Sequence, residues 1–220
     1  GLSNYIDEAY ILLGKTNFYT GSYFTATEYF DYTNRTYQKD KRVKLNDSLG
    51  SVIFDNYLKS LDGNKSYFLA SDVNDFEKYR LTFDDDMESG DLTAAFYMFN
   101  VYQKRYNERI NYSIETLNNK FDFDKKEEYI YDRSKLPYFS SLDQSNQSWY
   151  KKVKLDFLNL KVSNQKDSLI KATLEKRYKN LLVQSNKINS QDAFQVIMGA
   201  FTNAVDPHTS YFNPANAANF

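Results

Sequence analysis

Cysteine is absent from the 220 residues, which removes disulfides, thiolate metal sites and a cysteine nucleophile together. Histidine occurs once, at His208, too few for a metal centre built on paired imidazoles. Only 7 glycines and 3 prolines are present, which argues against a loop-rich all-β fold and for helices. No apolar run approaches the roughly 18 residues that a transmembrane helix needs. Gly1-Leu2-Ser3-Asn4 lacks both the basic and the apolar region of a secretory leader, so an exported protein would carry its leader outside these residues. Charge of one sign is missing too. Lys plus Arg number 28 against 29 Asp plus Glu, so no global field drives the chain toward nucleic acid or an anionic membrane. Freedom from cysteine suits the cytosol and a bacterial periplasm alike.

Aromatic residues are plentiful, with 20 Tyr and 17 Phe. Each buries a large area, so a core can be built from fewer residues. The periodicity is helical nearly throughout. Leu45, Leu49, Ile53, Tyr57, Leu58 and Leu61 predict one helix, stopped at Asp62-Gly63-Asn64 by a glycine of positive φ. After a short apolar crossing at 65–72, Ser71 or Asp72 caps a helix with Val73, Phe76, Tyr79 and Phe83 inward, closed by Asp84-Asp85-Asp86. Ser89-Gly90-Asp91 makes a turn and a cap. A long helix over about 92–119 then buries Leu92, Ala95, Phe96, Phe99, Tyr102, Tyr106, Ile110 and Leu117. Residues 120–143 are less regular, and Pro137 bars a continuous helix there. Trp149, Val153, Leu155, Phe157, Leu158 and Leu160 mark the next helix. Leu169, Leu174, Tyr178, Leu181 and Leu182 mark another, over about 166–187. Asn189 or Ser190 caps the last, with Phe194, Ile197, Met198, Phe201 and Val205 inward. The predicted class is all-α: a helical hairpin and then a multi-helix domain, with one short two-stranded element near 64–70. Asp206-Pro207 ends the last helix, because a residue before proline is pushed out of the helical region.

Little here reads as chemistry. His208 suits packing or capping of the turn better than general-base work. Asp84, Asp85 and Asp86 point different ways on a helix and do not converge on one cation. Ser66 with Lys65 forms a nominal dyad, but nothing marks a buried lysine or an oxyanion hole beside them. The run Lys39-Asp40-Lys41-Arg42-Val43-Lys44 reads as a charged hinge. No catalytic, cofactor-binding or metal-binding residue is assigned, and no cofactor is expected.

Two resemblances add to this reading. Tyr10, Leu13, Gly14, Phe18, Gly21, Ala26, Phe30 and Thr33 fall at near-tetratricopeptide spacing. Small Gly14 and Ala26 would let two helices, about 5–20 and 22–37, approach while Tyr10, Leu13 and Phe30 fill between them. In detail this stretch resembles repeats in the tetratricopeptide lipoproteins of Bacteroidota gliding and type IX secretion. One repeat cannot bury both of its faces, so the hairpin needs the rest of the chain or a partner. From about Leu45 onward the chain resembles the N-terminal helical domain of the tail-specific (C-terminal processing) serine proteases. The collinear words are Tyr57–Asp62, Tyr67–Asp72, Phe76–Tyr79, Phe99-Asn100 through Arg105 and Glu108-Arg109, Tyr131–Lys135, Trp149–Lys154, Leu174–Asn180 and Asp206-Pro207-His208-Thr209-Ser210-Tyr211.

The protease resemblance implies a periplasmic protein in which this domain precedes a PDZ domain and a Ser/Lys-dyad domain that lie beyond Phe220. The expected organisation is a hairpin at 1–40, a helical domain at 41–205 and a linker at 206–220 leading toward PDZ. The implied function is non-catalytic: to scaffold the PDZ and protease domains and to contact a protein substrate or adaptor. The alternative is an interaction component of tetratricopeptide type, or a composite of the two meeting near 38–44.

Overall fold

A computed structural model describes residues 46–206 and Tyr211. The hairpin residues Tyr10, Leu13, Gly14, Ala26 and Phe30, the run 39–44, and Pro207, His208, Thr209 and Ser210 lie outside the described residues.

The described chain is all-α. Its helices are α1 (Asp47–Asp62), α2 (Ala70–Phe76), α3 (Phe83–Ser89), α4 (Thr93–Thr116), α5 (Leu142–Lys161), α6 (Asp167–Ser185) and α7 (Ser190–Val205), with a 3-10 turn at Glu77–Tyr79. The two-stranded element shrinks, among the described residues, to one parallel bridge between Leu69 and Phe139.

Local chemistry explains most boundaries. Asn46 Oδ1 accepts the Leu49 amide at the start of α1. Gly90, at φ 75°, ends α3 in the left-handed region, and Asp91 Oδ1 accepts the Thr93 amide to open α4. Ser141 Oγ accepts the Gln144 amide at the start of α5. Asn189 Oδ1 accepts the Gln191 amide, and Asp192 returns a bond to the Asn189 amide, a reciprocal cap for α7.

Three boundary expectations are corrected. The stop after α1 does not use a left-handed glycine; the positive φ falls on Lys65, at 50°. Gly63 is required for space, since a Cβ there would meet the Lys59 carbonyl oxygen at 2.8 Å. The triple aspartate opens α3 rather than closing the helix before it, as carboxylates suit a positive helix N-terminus. Asp72 caps α2 from inside the helix, its Oδ2 accepting the Leu69 amide at 2.9 Å.

The chain divides into two compact units. The first comprises, within the described residues, 46–57, 79–94, 197–206 and Tyr211. Its buried side chains include Ile53, Phe54, Tyr57, Phe83, Ile197 and Tyr211. Phe54 meets Phe83 edge-on at 5.6 Å between centroids. Arg80 lies over the Phe54 ring at 4.4 Å and bonds Asp55 at 2.8 Å.

The second unit comprises 58–78 and 95–196. Its core joins Ile110 and Leu117 of α4, Trp149, Val153 and Phe157 of α5, and Ile170, Leu174 and Tyr178 of α6. Helices α5 and α6 pack against each other across a short turn, in which Asn164 takes φ 57°. Here the inward faces differ from those expected. Leu158 and Leu169 are exposed, and Ile170 supplies the contact instead. In α7, Ala193, Ile197 and Ala200 are the buried residues while Val205 is exposed. Two alanines flank Ile197 on its tightest face.

Candidate interaction surface

Several of the words that carry the protease resemblance meet in the second unit around one loop, residues 62–70. Asp62 ends α1 and is 2% exposed. Its carboxylate accepts the amides of Ser66 at 2.8 Å and of Tyr67 and Phe68 at 2.9 Å. Burial pushes the carboxyl above its usual range, while those amides and Arg133 pull it back. Trp149 Nε1 donates to the Ser66 carbonyl at 2.9 Å, tying α5 to the loop. Arg105 forks onto Asp72 through Nε and Nη2, both at 2.9 Å, and reaches Glu108 with Nη1. Buried Arg109 donates to Ser145 and Asn146 at the start of α5. Aromatic rings fill the same region. Tyr67 touches Tyr102, Tyr106 and Trp149 with centroids 5.2–5.7 Å apart.

Two candidate residues are spent here on structure. Ser66 Oγ exchanges hydrogen bonds with Asn64, and the Lys65 ammonium lies over the Tyr138 ring at 5.3 Å. Neither is arranged as nucleophile and base.

A strap without helix, residues 117–141, crosses this unit between α4 and α5. Phe121 and Phe123 pin its start against Phe157. Lys154, only 8% exposed, donates to Glu127 and holds that carboxyl below its usual range. Tyr129 is half-buried; burial, helped by Asp156, raises its phenol. Asn64 grips the far end, donating to the Tyr131 carbonyl at 3.0 Å and accepting the Arg133 amide at 2.8 Å. The Arg133 guanidinium donates to the Lys65 and Pro137 carbonyls and stacks on Phe139 at 3.7 Å. The Ala70 amide donates to the Phe139 carbonyl, which closes the clamp.

A shallow groove of about 470 Å³ opens in the same unit, lined by Tyr102, Gln103, Tyr106, Leu181, Ser185 and Ile188. Gln103 Nε2 donates to the Ser185 carbonyl at 2.8 Å. Ser185 Oγ is buried without a hydrogen-bond partner. No base sits against that hydroxyl, so it is not activated for attack. Burial pushes the Tyr102 phenol up to about 12. Lys187 and Asp192 at the rim leave the groove near neutral.

In the first unit Asp84, Asp85 and Asp86 diverge as the sequence predicts: Asp85 faces solvent, and Asp86 is half-buried and raised by burial and by Asp91, Asp85 and Asp84. Asp84 turns inward. Asp206 is exposed at the end of α7, its amide donating to Thr202, while Tyr211 is 6% exposed. Among the described residues no group of three or more His, Cys, Asp or Glu is placed to hold a metal ion. No helix of the described residues is long and apolar enough to cross a membrane.

The sequence reading missed the strap and the two asparagine and arginine residues, Asn64 and Arg133, that clamp it. Their signal was the Asp-Arg-Ser-Lys word and the Gly-Asn turn, but nothing local says that residues 69 apart bond each other.

Comparison with known proteins agrees with this geometry. The family described as "Tail specific protease N-terminal domain" matches residues 34–215. A tail-specific protease of Haemophilus influenzae is 35% identical over 189 residues, which cover 86% of this chain and 27% of that protein. The chain thus spans about a quarter of the length of the curated relative it matches.

Proposed function

The chain belongs to the tail-specific protease family and carries that family's N-terminal domain, and from this premise we propose that it is the non-catalytic N-terminal region of a periplasmic C-terminal processing serine protease. In this reading it scaffolds a PDZ domain and a Ser/Lys-dyad domain and contacts substrate or adaptor polypeptides. The observation that carries it is the match over residues 34–215, whose collinear words include the residues clamping the 62–70 loop. Those residues are committed to holding the fold. The serine hydroxyls at Ser66 and Ser185 face no base. Both facts favour a supporting role over a catalytic one.

The test is reconstitution. The 220-residue chain alone should leave a peptide with an apolar C-terminus intact. Added to the remainder of the full-length protein, expressed without this region, it should restore processing. Cleavage by the chain alone would place the chemistry wrongly; no binding and no restoration would remove the scaffold role.

A tetratricopeptide reading is favoured only for the stretch before residue 34, where the family match has not begun. There it proposes that Tyr10, Leu13, Gly14, Ala26 and Phe30 form an interaction hairpin. Peptide mapping across Tyr29–Glu77 tests whether one polypeptide joins that stretch to the protease-type domain.

A further inference from the structure

Within the strap, residues 126–130 run without helix, turn or bend, flanked by bends at 123–125 and 131. Side chains alternate along them. Glu127 turns in to Lys154 and Tyr129 is half-buried, while Lys126, Glu128 and Ile130 face solvent. That is the period of a β-strand lying on a surface by one face. Yet, among the described residues, no backbone N–H or C=O of residues 126–130 forms a hydrogen bond. The stretch is held at both ends, by Lys154 on Glu127 and by Asn64 on Tyr131 and Arg133. It therefore presents a straight row of free donors and acceptors about 17 Å long, the length of an ordinary strand. Beside that row Ile130 and Tyr131 remain 53% and 68% exposed.

We propose that residues 126–130 form a strand-addition edge that captures an extended segment of a separate, unfolded polypeptide by main-chain hydrogen bonding. This rests on the reading that the domain contacts client polypeptides, and names where and how it does so. The chemistry selects the occupant. Only an extended chain offers N–H and C=O groups at the spacing of this row, and such pairing reads backbone rather than sequence. Ile130 supplies an apolar contact to alternate residues of the incoming strand. A helix has spent its own backbone groups and cannot pair. A second copy is disfavoured, because antiparallel self-pairing centred on the stretch sets Glu128 against Glu128. Fixing both ends reduces the ordering cost of binding.

Hydrogen–deuterium exchange on the 220-residue chain tests this, with reduced, carboxymethylated α-lactalbumin as a permanently unfolded probe. The amides of residues 126–130 should exchange at least tenfold more slowly with saturating probe. Glu128→Pro deletes one exposed amide without touching a side-chain bond, and should weaken probe binding at least tenfold; Glu128→Ala should stay within twofold. The exchange experiment on the unaltered chain stands whether or not the proline variant folds. Probe binding with protection elsewhere, and none at 126–130, overturns this inference and leaves the contact reading intact. Absence of any probe binding removes both. Protection at 126–130 in the chain alone, rising with its concentration, makes a second copy the occupant and overturns the proposal.

Discussion

Each unit buries an aspartate, and the two are treated oppositely. Asp62, in the second unit, is 2% exposed and accepts three backbone amides. Asp84, in the first, is 4% exposed, and its Oδ1 is buried without any hydrogen-bond partner. A buried carboxylate that organises a loop repays its desolvation with charge-assisted bonds. One without partners does not, and must be held by packing. Asp84 is held against Gly50 in the first turns of α1: a Cβ on Gly50 would lie 2.6 Å from Asp84 Oδ1 and 3.1 Å from the Asp84 nitrogen. The positive N-terminal ends of α1 and of its own helix α3 are its evident compensation among the described residues. In the second unit polar bonds determine a loop; in the first a glycine makes room for a carboxylate.

The sharpest break of this comparison is Asp62→Ala. It leaves three amides, part-buried or buried, without their acceptor and should cost about 3 kcal/mol or more, read as a lowered urea midpoint. Gly50→Ala should cost about 2 kcal/mol, since the new methyl meets Asp84 side chain and backbone alike. Much of that loss should vanish in the double variant with Asp84→Ala, a coupling that separated sites would not show. Trp149→Phe removes the bond to the Ser66 carbonyl while keeping an aromatic ring, and should cost about 1 kcal/mol. Asp84→Ala alone should fall within about 0.5 kcal/mol of the parent or stabilise it, because it removes an unpartnered charge. A loss like that of Asp62→Ala would show that Asp84 has a partner after all.

The smallest effect is in pH. Lys154 lowers the folded-state value of Glu127 below its unfolded one. The stability it supplies is present above the ordinary carboxylate range and lost as pH falls through the folded value. Glu127→Gln should therefore lower stability slightly at neutral pH, leave the acid end nearly unchanged, and so flatten the acid limb of the stability profile. An acid limb identical in both proteins would remove Glu127 from the account.

Much of the helix plan was legible because its signals are local. Tyr57, Leu58 and Leu61 repeat at helical spacing and are buried in α1. Gly90 and Asn189 stop and start helices where their backbone and side chains require. Exposed Leu158 and Leu169 were misread because periodicity locates an apolar stripe without saying how much of it a neighbouring helix covers. The triple aspartate was placed at the wrong helix end for a related reason. Charge near a helix terminus is visible in sequence, but the break at Leu81-Thr82 that makes a new terminus is not.

The sequence by itself determined the all-α class and, through words spread over some 150 residues, the family. Local propensity, capping and motif order are all written along the chain. Only the tertiary structure decided that Asp62, Asn64, Arg133 and Trp149 clamp one loop, that Asp84 is buried without a partner, and that residues 126–130 keep their backbone groups free. Each of those depends on which distant atoms come within about 3 Å, and hydrogen-bond satisfaction is a property of that neighbourhood rather than of the residue.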